Sequence, residues 1–130
     1  MDMQQLDAAS MDAASGIRSA LESWSAGIAA GDLERIASAF APDALFQGLR
    51  PAPTFGRDGV RQYYDSQPAP LTVDYDILRV RPLGAAAALV YLKAVFHPEG
   101  LEDLITHITM IFVETDREWV IDHYHVSRTA

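Results

Sequence analysis

The stretch Leu101–Arg128, LEDLITHITMIFVETDREWVIDHYHVSR, holds two long runs of alternating apolar residues, Leu101–Val113 and Trp119–Arg128, separated by the polar break Thr115–Glu118. A period of two sustained over such lengths marks paired β-strands. Reading Glu114–Glu118 as a five-residue loop sets a register in which Val113 faces Trp119, Ile111 faces Ile121, Thr109 faces His123 and His107 faces His125. The opposite parity then pairs Phe112 with Val120, Met110 with Asp122, Ile108 with Tyr124 and Thr106 with Val126. A slip of one residue would exchange the two faces, so the loop length carries the assignment. Both faces are substantially apolar in this register, while a single layer of helices shields one of them. Trp119, Ile121, Ile111 and Val113 are therefore expected to form an exposed patch that a second copy covers, giving a homodimer.

Upstream, the sheet pattern begins at Leu71. Leu71, Val73, Tyr75 and Ile77 alternate with polar residues, and the phase then flips to Leu78 and Val80, which predicts a bulge near Ile77. Turns at Arg81–Gly84 and His97–Gly100 bound a further strand, Ala85–Phe96.

The first third reads as helix. Ile17, Leu21, Trp24 and Ile28 fall on one helical stripe, Gly31 suits the position after the helix end, and Asp32 caps a second helix in which Leu33, Ile36 and Phe40 share a face before Pro42. A strand-like piece, Ala44–Leu49, precedes the proline-rich Arg50–Gly56, which is unsuited to a central strand. A third helix, Gly59–Ser66, is expected to start at an Asp58 cap and to end at Gln67–Pro70. Helices followed by long consecutive strands predict an α+β fold with an antiparallel sheet and helices gathered on one face.

At 130 residues the chain forms one domain, with residues 1–10 read as a loose N-terminal segment. Ten Lys+Arg against 18 Asp+Glu give a formal charge of −8, which disfavours nucleic acid and anionic membranes as partners. The absence of cysteine excludes disulfides, thiolate catalysis and cysteine-held metal centres. The acidic first residues and the short apolar runs predict a cytoplasmic chain with no targeting segment or membrane span.

Trp24 before Ala30-Gly31-Asp32, then Phe40-Ala41-Pro42-Asp43-Ala44, Gly56–Tyr64 (GRDGVRQYY) and the ending Trp119–Ser127 (WVIDHYHVS) resemble the nuclear transport factor two-like superfamily. The similarity runs over residues 15–128 and is closest to the SnoaL-like and SgcJ-like members, and the last strand also resembles the association domain of calmodulin-dependent kinase II. The resemblance implies a cystatin-like α+β barrel: a curved antiparallel sheet forming a cone around three N-terminal helices, with an apolar pocket inside. It further implies that Val120, Asp122, Tyr124 and Val126 face the pocket while His123, His125 and Ser127 face outward. The superfold hosts isomerases, dehydratases, cyclases and pure binding domains, so it fixes no reaction.

Two residues apart on one strand, Asp122 and Tyr124 are expected to share a face roughly 7 Å apart. A carboxyl in an apolar cone is a candidate proton carrier, and a neighbouring phenol a candidate donor to a developing oxyanion. The catalytic candidates are thus Asp122 and Tyr124, and the ligand-binding candidates Trp24, Phe46, Tyr64, Tyr91, Met110 and Tyr124. Phe40, Tyr63 and Tyr75 belong to the same aromatic set, with Phe40 read as core. The function expected is binding of a small apolar molecule, with cofactor-free isomerase, cyclase or dehydratase chemistry by proton transfer. The alternative is a non-catalytic ligand-binding or oligomerisation module. His107, His123 and His125 have a spacing that suits a metal, but they fall on the expected dimer face and are read as hydrogen-bonding residues, so no metal or cofactor is assigned. Arg57 and Arg61 lie at helical spacing near Asp58 and Asp65, as surface ion pairs do.

Overall fold

The computed structural model describes the backbone of residues 3–129 and the side chains of residues 12–129. Helix α1 (Met3–Ala30) takes in residues 3–10, and its stripe of Ile17, Leu21, Trp24 and Ile28 is fully withdrawn from solvent. It ends as the sequence predicts. Gly31 adopts φ +65°, and Asp32 N–H reaches back to Gly27 O at 2.9 Å, closing a Schellman-type cap that a side chain at position 31 would strain. Asp32 then caps α2 (Leu33–Ser38) by accepting from the Arg35 N–H at 3.1 Å.

Phe40 departs from the expected helical face: it opens strand β1 (Phe40–Gln47). The two-residue strand β2 (Thr54–Phe55) lies at the sheet edge, as its proline-rich surroundings require. Helix α3 (Arg57–Asp65) is preceded by Gly56 at the cap position, so Asp58 lies in its first turn instead of capping it. There Arg61 pairs with Asp58 at 2.7 Å and with Glu34 of α2 at 2.9 Å. Strands β3 (Leu71–Pro82), β4 (Ala87–Pro98), β5 (Leu104–Thr115) and β6 (Glu118–Arg128) follow.

The fold is α+β, with three helices on an open, curved six-stranded sheet of order β2-β1-β6-β5-β4-β3. One pair breaks the antiparallel expectation. Strand β1 runs parallel to β6, pairing Phe40 with Ile121 and Phe46 with Tyr124, because the chain crosses from one side of β6 to the other through α3 and the meander. The predicted bulge in β3 is present, between Ile77 and Arg79. The inner face carries Val90, Leu92 and Phe96 of β4 and Ile108, Met110 and Phe112 of β5, all buried under the helices. Thr106, the buried polar residue among them, donates its hydroxyl to Ala94 O at 2.8 Å. No helix among the described residues is long and apolar enough to cross a membrane.

The final hairpin overturns the five-residue loop. Thr115 pairs with Glu118 around the two-residue turn Asp116-Arg117, whose φ values of 50° and 66° are those of a type I′ turn. Thr109 therefore lies opposite His125 and His107 opposite Ser127. Between Ile111–His123 and Phe112–Ile121 the register shifts, leaving Asp122 as an extra, unpaired residue. This bulge inverts the parity of everything before it on β6. His123, His125 and Ser127 keep the outward parity expected of them. Trp119 and Ile121, expected outside, turn inward and join the core. Trp119 packs against α1 so closely that a Cβ at Gly16 would lie 2.2 Å from its Cδ1.

The outer face keeps an apolar strip without them. Leu89 and Tyr91 of β4 lie beside Ile111 and Thr109 of β5, with Ile105 and Val113 at the ends of β5. Ile105 is 48% exposed.

Candidate functional site

The interior between the sheet and α1 and α3 is aromatic. Strand β6 presents Tyr124 inward, and β1 places Phe46 beside it, so the two rings stack at 4.4 Å and 12°. Trp24 reaches in from α1, and its Nε1–H donates to the Tyr64 hydroxyl of α3 at 2.9 Å. That pairing explains why an indole and a phenol both tolerate full burial: each polar end has a partner.

A cavity of about 30 Å3 remains where the interior meets solvent, enough for one or two waters. Its floor is Tyr64, Phe96, Tyr124 and Val126, all buried. Its rim comes from the ends of several elements: Leu49 after β1, Tyr63 on α3, Gln67 and Pro68 in the α3–β3 connection, Leu71 on β3 and Leu104 on β5. Tyr63, Gln67, Leu71 and Leu104 are half-buried, so the side chains that would have to move to widen the opening are the less tightly packed ones.

The floor is chemically neutral. Burial raises the Tyr64 hydroxyl pKa above the ordinary phenol value, with hydrogen bonding to Tyr124 and Trp24 acting in the opposite sense. Burial also raises Tyr124 well above that value, reinforced by Tyr64. Both phenols stay protonated at neutral pH and serve as hydrogen-bonding groups, with no capacity to take up a proton.

The structure separates the sequence candidates. Tyr64 and Tyr124 meet at the cavity. Trp24, Phe46 and Met110 are buried behind it, as packing that fixes the two tyrosines and does not line the space. Tyr91 lies on the other side of the sheet, where alternation with Val90 and Leu92 sends it outward to stack on His107 at 5.5 Å. Asp122, the extra residue of the bulge, is half-buried and is not among the residues that line the cavity. Among the described residues no cluster of three or more His, Asp or Glu is placed to hold a metal ion. The rim residues Leu49, Gln67 and Leu104 escaped the sequence reading. The Gln67–Pro70 breaker was the signal for one of them, since a chain forced to leave a helix beside a core tyrosine must pass over that core.

Next to the rim, His97, expected to open a turn, lies instead near the end of β4. It bridges strands: Nδ1 lies 2.8 Å from Asp103 and Nε2 2.9 Å from Asp74 of β3. Hydrogen bonding to Asp103, then to Asp74, raises its pKa above the usual histidine value. A raised folded-state value means the bridge contributes fully below the unfolded pKa of about 6.5 and is lost as pH climbs through the folded value. His97→Gln is expected to flatten the decline in thermal stability of the wild type above pH 6.5. An unchanged slope in the variant would show that the bridge contributes nothing. Because the group is exposed, the effect is small.

An open, curved α+β sheet under three helices, with a tyrosine-floored cavity between them, is the class of domain that these features define. Residues 17–130 match the family model for the SnoaL-like domain. The chain belongs to the SnoaL-like domain family. No curated protein sequence matches it. Among solved structures it is similar to hexachlorocyclohexane dehydrochlorinase LinA-type3 from Novosphingobium barchaimii LL02, with TM-score 0.83 and 14% identity over 95% of this chain and 91% of that one. It is also similar to a putative scytalone dehydratase from Novosphingobium aromaticivorans DSM 12444, with TM-score 0.79 and 14% identity over 94% and 87%. A third is a putative calcium/calmodulin-dependent protein kinase II association domain from Xanthomonas campestris, with TM-score 0.72 and 19% identity over 84% and 82%. At these identities the likeness is one of fold.

Proposed function

We propose that this SnoaL-like domain binds a small, largely apolar molecule at the tyrosine-floored cavity, by shape and hydrogen bonding and without proton-transfer catalysis. The observation that carries this reading is the cavity wall. Among the described residues it offers three tyrosines, one amide and apolar side chains, with no carboxylate or imidazole, and burial keeps the Tyr64 and Tyr124 phenols protonated. A flat ligand bearing one acceptor matches such a wall, as most small-molecule sites are apolar with a few placed polar groups. The available space is small, so binding proceeds with displacement of Tyr63 and Leu71 at the rim.

The same reading takes the working unit as a homodimer through the outer sheet face. Ile105, Tyr91, Ile111 and Leu89 support it, as an apolar strip that the helices leave uncovered. The fold likeness to an association domain is in keeping with it.

Thermal-shift and protein-detected NMR titrations with neutral phenols and aromatic ketones test the binding. A saturating ligand is expected to stabilise the domain, by about 2.7 kcal/mol at a hundredfold excess over Kd. Tyr64→Phe and Tyr124→Phe are each expected to weaken binding by about tenfold, one hydrogen bond's worth. No saturable binding anywhere in the panel would remove the reading. Turnover of a panel compound that Asp122→Asn abolishes would replace it with the catalytic one.

A further inference from the structure

Arg50 stands beside the cavity rim, next to two of its residues, and is in none of the ion pairs of the described residues. It follows the rim residue Leu49, and its guanidinium lies over the ring of Tyr63, 5.8 Å from the centroid. Nη2 donates to the Ser66 hydroxyl at the end of α3. The backbone beneath is fixed as well: Gln47 Nε2 donates to Arg50 O at 2.6 Å, and Leu49 N–H donates to the Tyr63 hydroxyl at 3.2 Å. The head group is thus held in place by a hydroxyl and a π-face, both neutral, on an exposed residue with further N–H donors to offer.

The chain carries 18 acidic residues against ten basic ones. Arg61 is the arginine that the ion pairs of the described residues engage, so freedom from a carboxylate is common to the others; what sets Arg50 apart is its place over the rim residue Tyr63, where it is available to an anion from outside. A planar guanidinium takes a carboxylate in two parallel hydrogen bonds. The interior supplies the opposite requirement, since its floor has no charge to meet one.

We propose that Arg50 receives the anionic end of the ligand, so that the preferred ligand is a small carboxylate whose apolar body enters the cavity. This rests on the binding function proposed above and names the ligand class for the same site. Arg50 is a specificity residue: it discriminates by charge at the mouth, while Tyr64 and Tyr124 meet the body.

The test is a matched pair, 3-phenylpropanoate and 3-phenylpropanamide, titrated at low ionic strength by protein-detected NMR. The wild type is expected to hold the carboxylate about three- to tenfold more tightly than the amide, the range of one exposed charge-assisted contact. Added salt is expected to narrow the gap. Arg50→Gln is expected to erase the preference and leave the amide affinity unchanged, and Arg50→Lys to retain part of it. Equal affinities in the wild type would overturn the proposal while leaving the binding function standing. So would an equal loss of both ligands in Arg50→Gln, which would make Arg50 a support for the Tyr63 ring only. Binding of neither compound to the wild type would overturn this proposal, while the binding function itself stands or falls with the phenol and ketone panel.

Discussion

Trp24→Ala is expected to destabilise the domain by about 3–5 kcal/mol, the usual range for deleting a fully buried large aromatic. The indole is wholly inaccessible to solvent. Its ring packs against Tyr75 and Phe96 at 6.1 Å and Tyr124 at 6.3 Å, so truncation removes contacts to β3, β4 and β6 at once. It also strips the Tyr64 hydroxyl of the N–H that points at it. Trp24→Phe keeps most of the apolar volume and loses that donor, and is expected to cost about 1–3 kcal/mol. Urea unfolding with the m-value held constant distinguishes the two. A loss below about 1.5 kcal/mol for the alanine variant would mean that the surrounding side chains close over the void, which a rigid aromatic interior does not allow.

The second large effect has an unexpected sign. Glycine inside a helix normally yields stability on replacement by alanine, about 0.5–1 kcal/mol. At Gly16 the opposite is expected, a net loss of about 1–3 kcal/mol. The new methyl would sit 2.2 Å from Trp119 Cδ1 and 3.0 Å from its Cβ, so the obstruction includes the root of the side chain as well as its ring. Turning the ring does not relieve it, and α1 must draw away from β6. The control is Gly16→Ala in a Trp119→Ala background. There helix propensity acts alone and the substitution becomes stabilising, a non-additivity that a double-mutant cycle reads directly. A stabilising Gly16→Ala in the otherwise native chain would place Trp119 away from the helix.

Those two tryptophans also show how far the sequence could be read. Trp24 lay on a stripe of 3.6-residue period, and a helix so marked buries that stripe whatever the tertiary details. The order of elements, the β3 bulge and the cap at Gly31 were legible for the same reason, since each is a local pattern with a local cause. Trp119 was not. Its direction depends on whether the hairpin turn has two residues or five, and on one extra residue at Asp122. Asp116-Arg117 lacks the glycine that usually marks a type I′ turn. The bulge leaves no mark in a strand where polar and apolar residues already mix. The consequence carried into the site: Asp122 was set beside Tyr124 by strand parity and by the family resemblance, and the homodimer was argued from Trp119, Ile121, Ile111 and Val113, of which the first two now belong to the core. Ile111 keeps its place in that argument, and Ile105, Tyr91 and Leu89 join it. Tyr64 was named for its polar handle and Tyr124 for its strand parity and the family resemblance, and both lie at the cavity. Arg50 was passed over because what distinguishes it, its place over the ring of the rim residue Tyr63, exists in three dimensions and not along the chain.

The parallel β1–β6 pair sets the order in which the domain can be completed. Strand β6 lies between β1 and β5, yet within this domain it is the last to be synthesised. Until it arrives, a nascent chain holds two strands with unsatisfied hydrogen-bonding edges toward the middle of the sheet, and nothing upstream can substitute. A chain interrupted ahead of Glu118 would therefore lose its centre and not its margin, exposing sticky backbone on both sides of the gap.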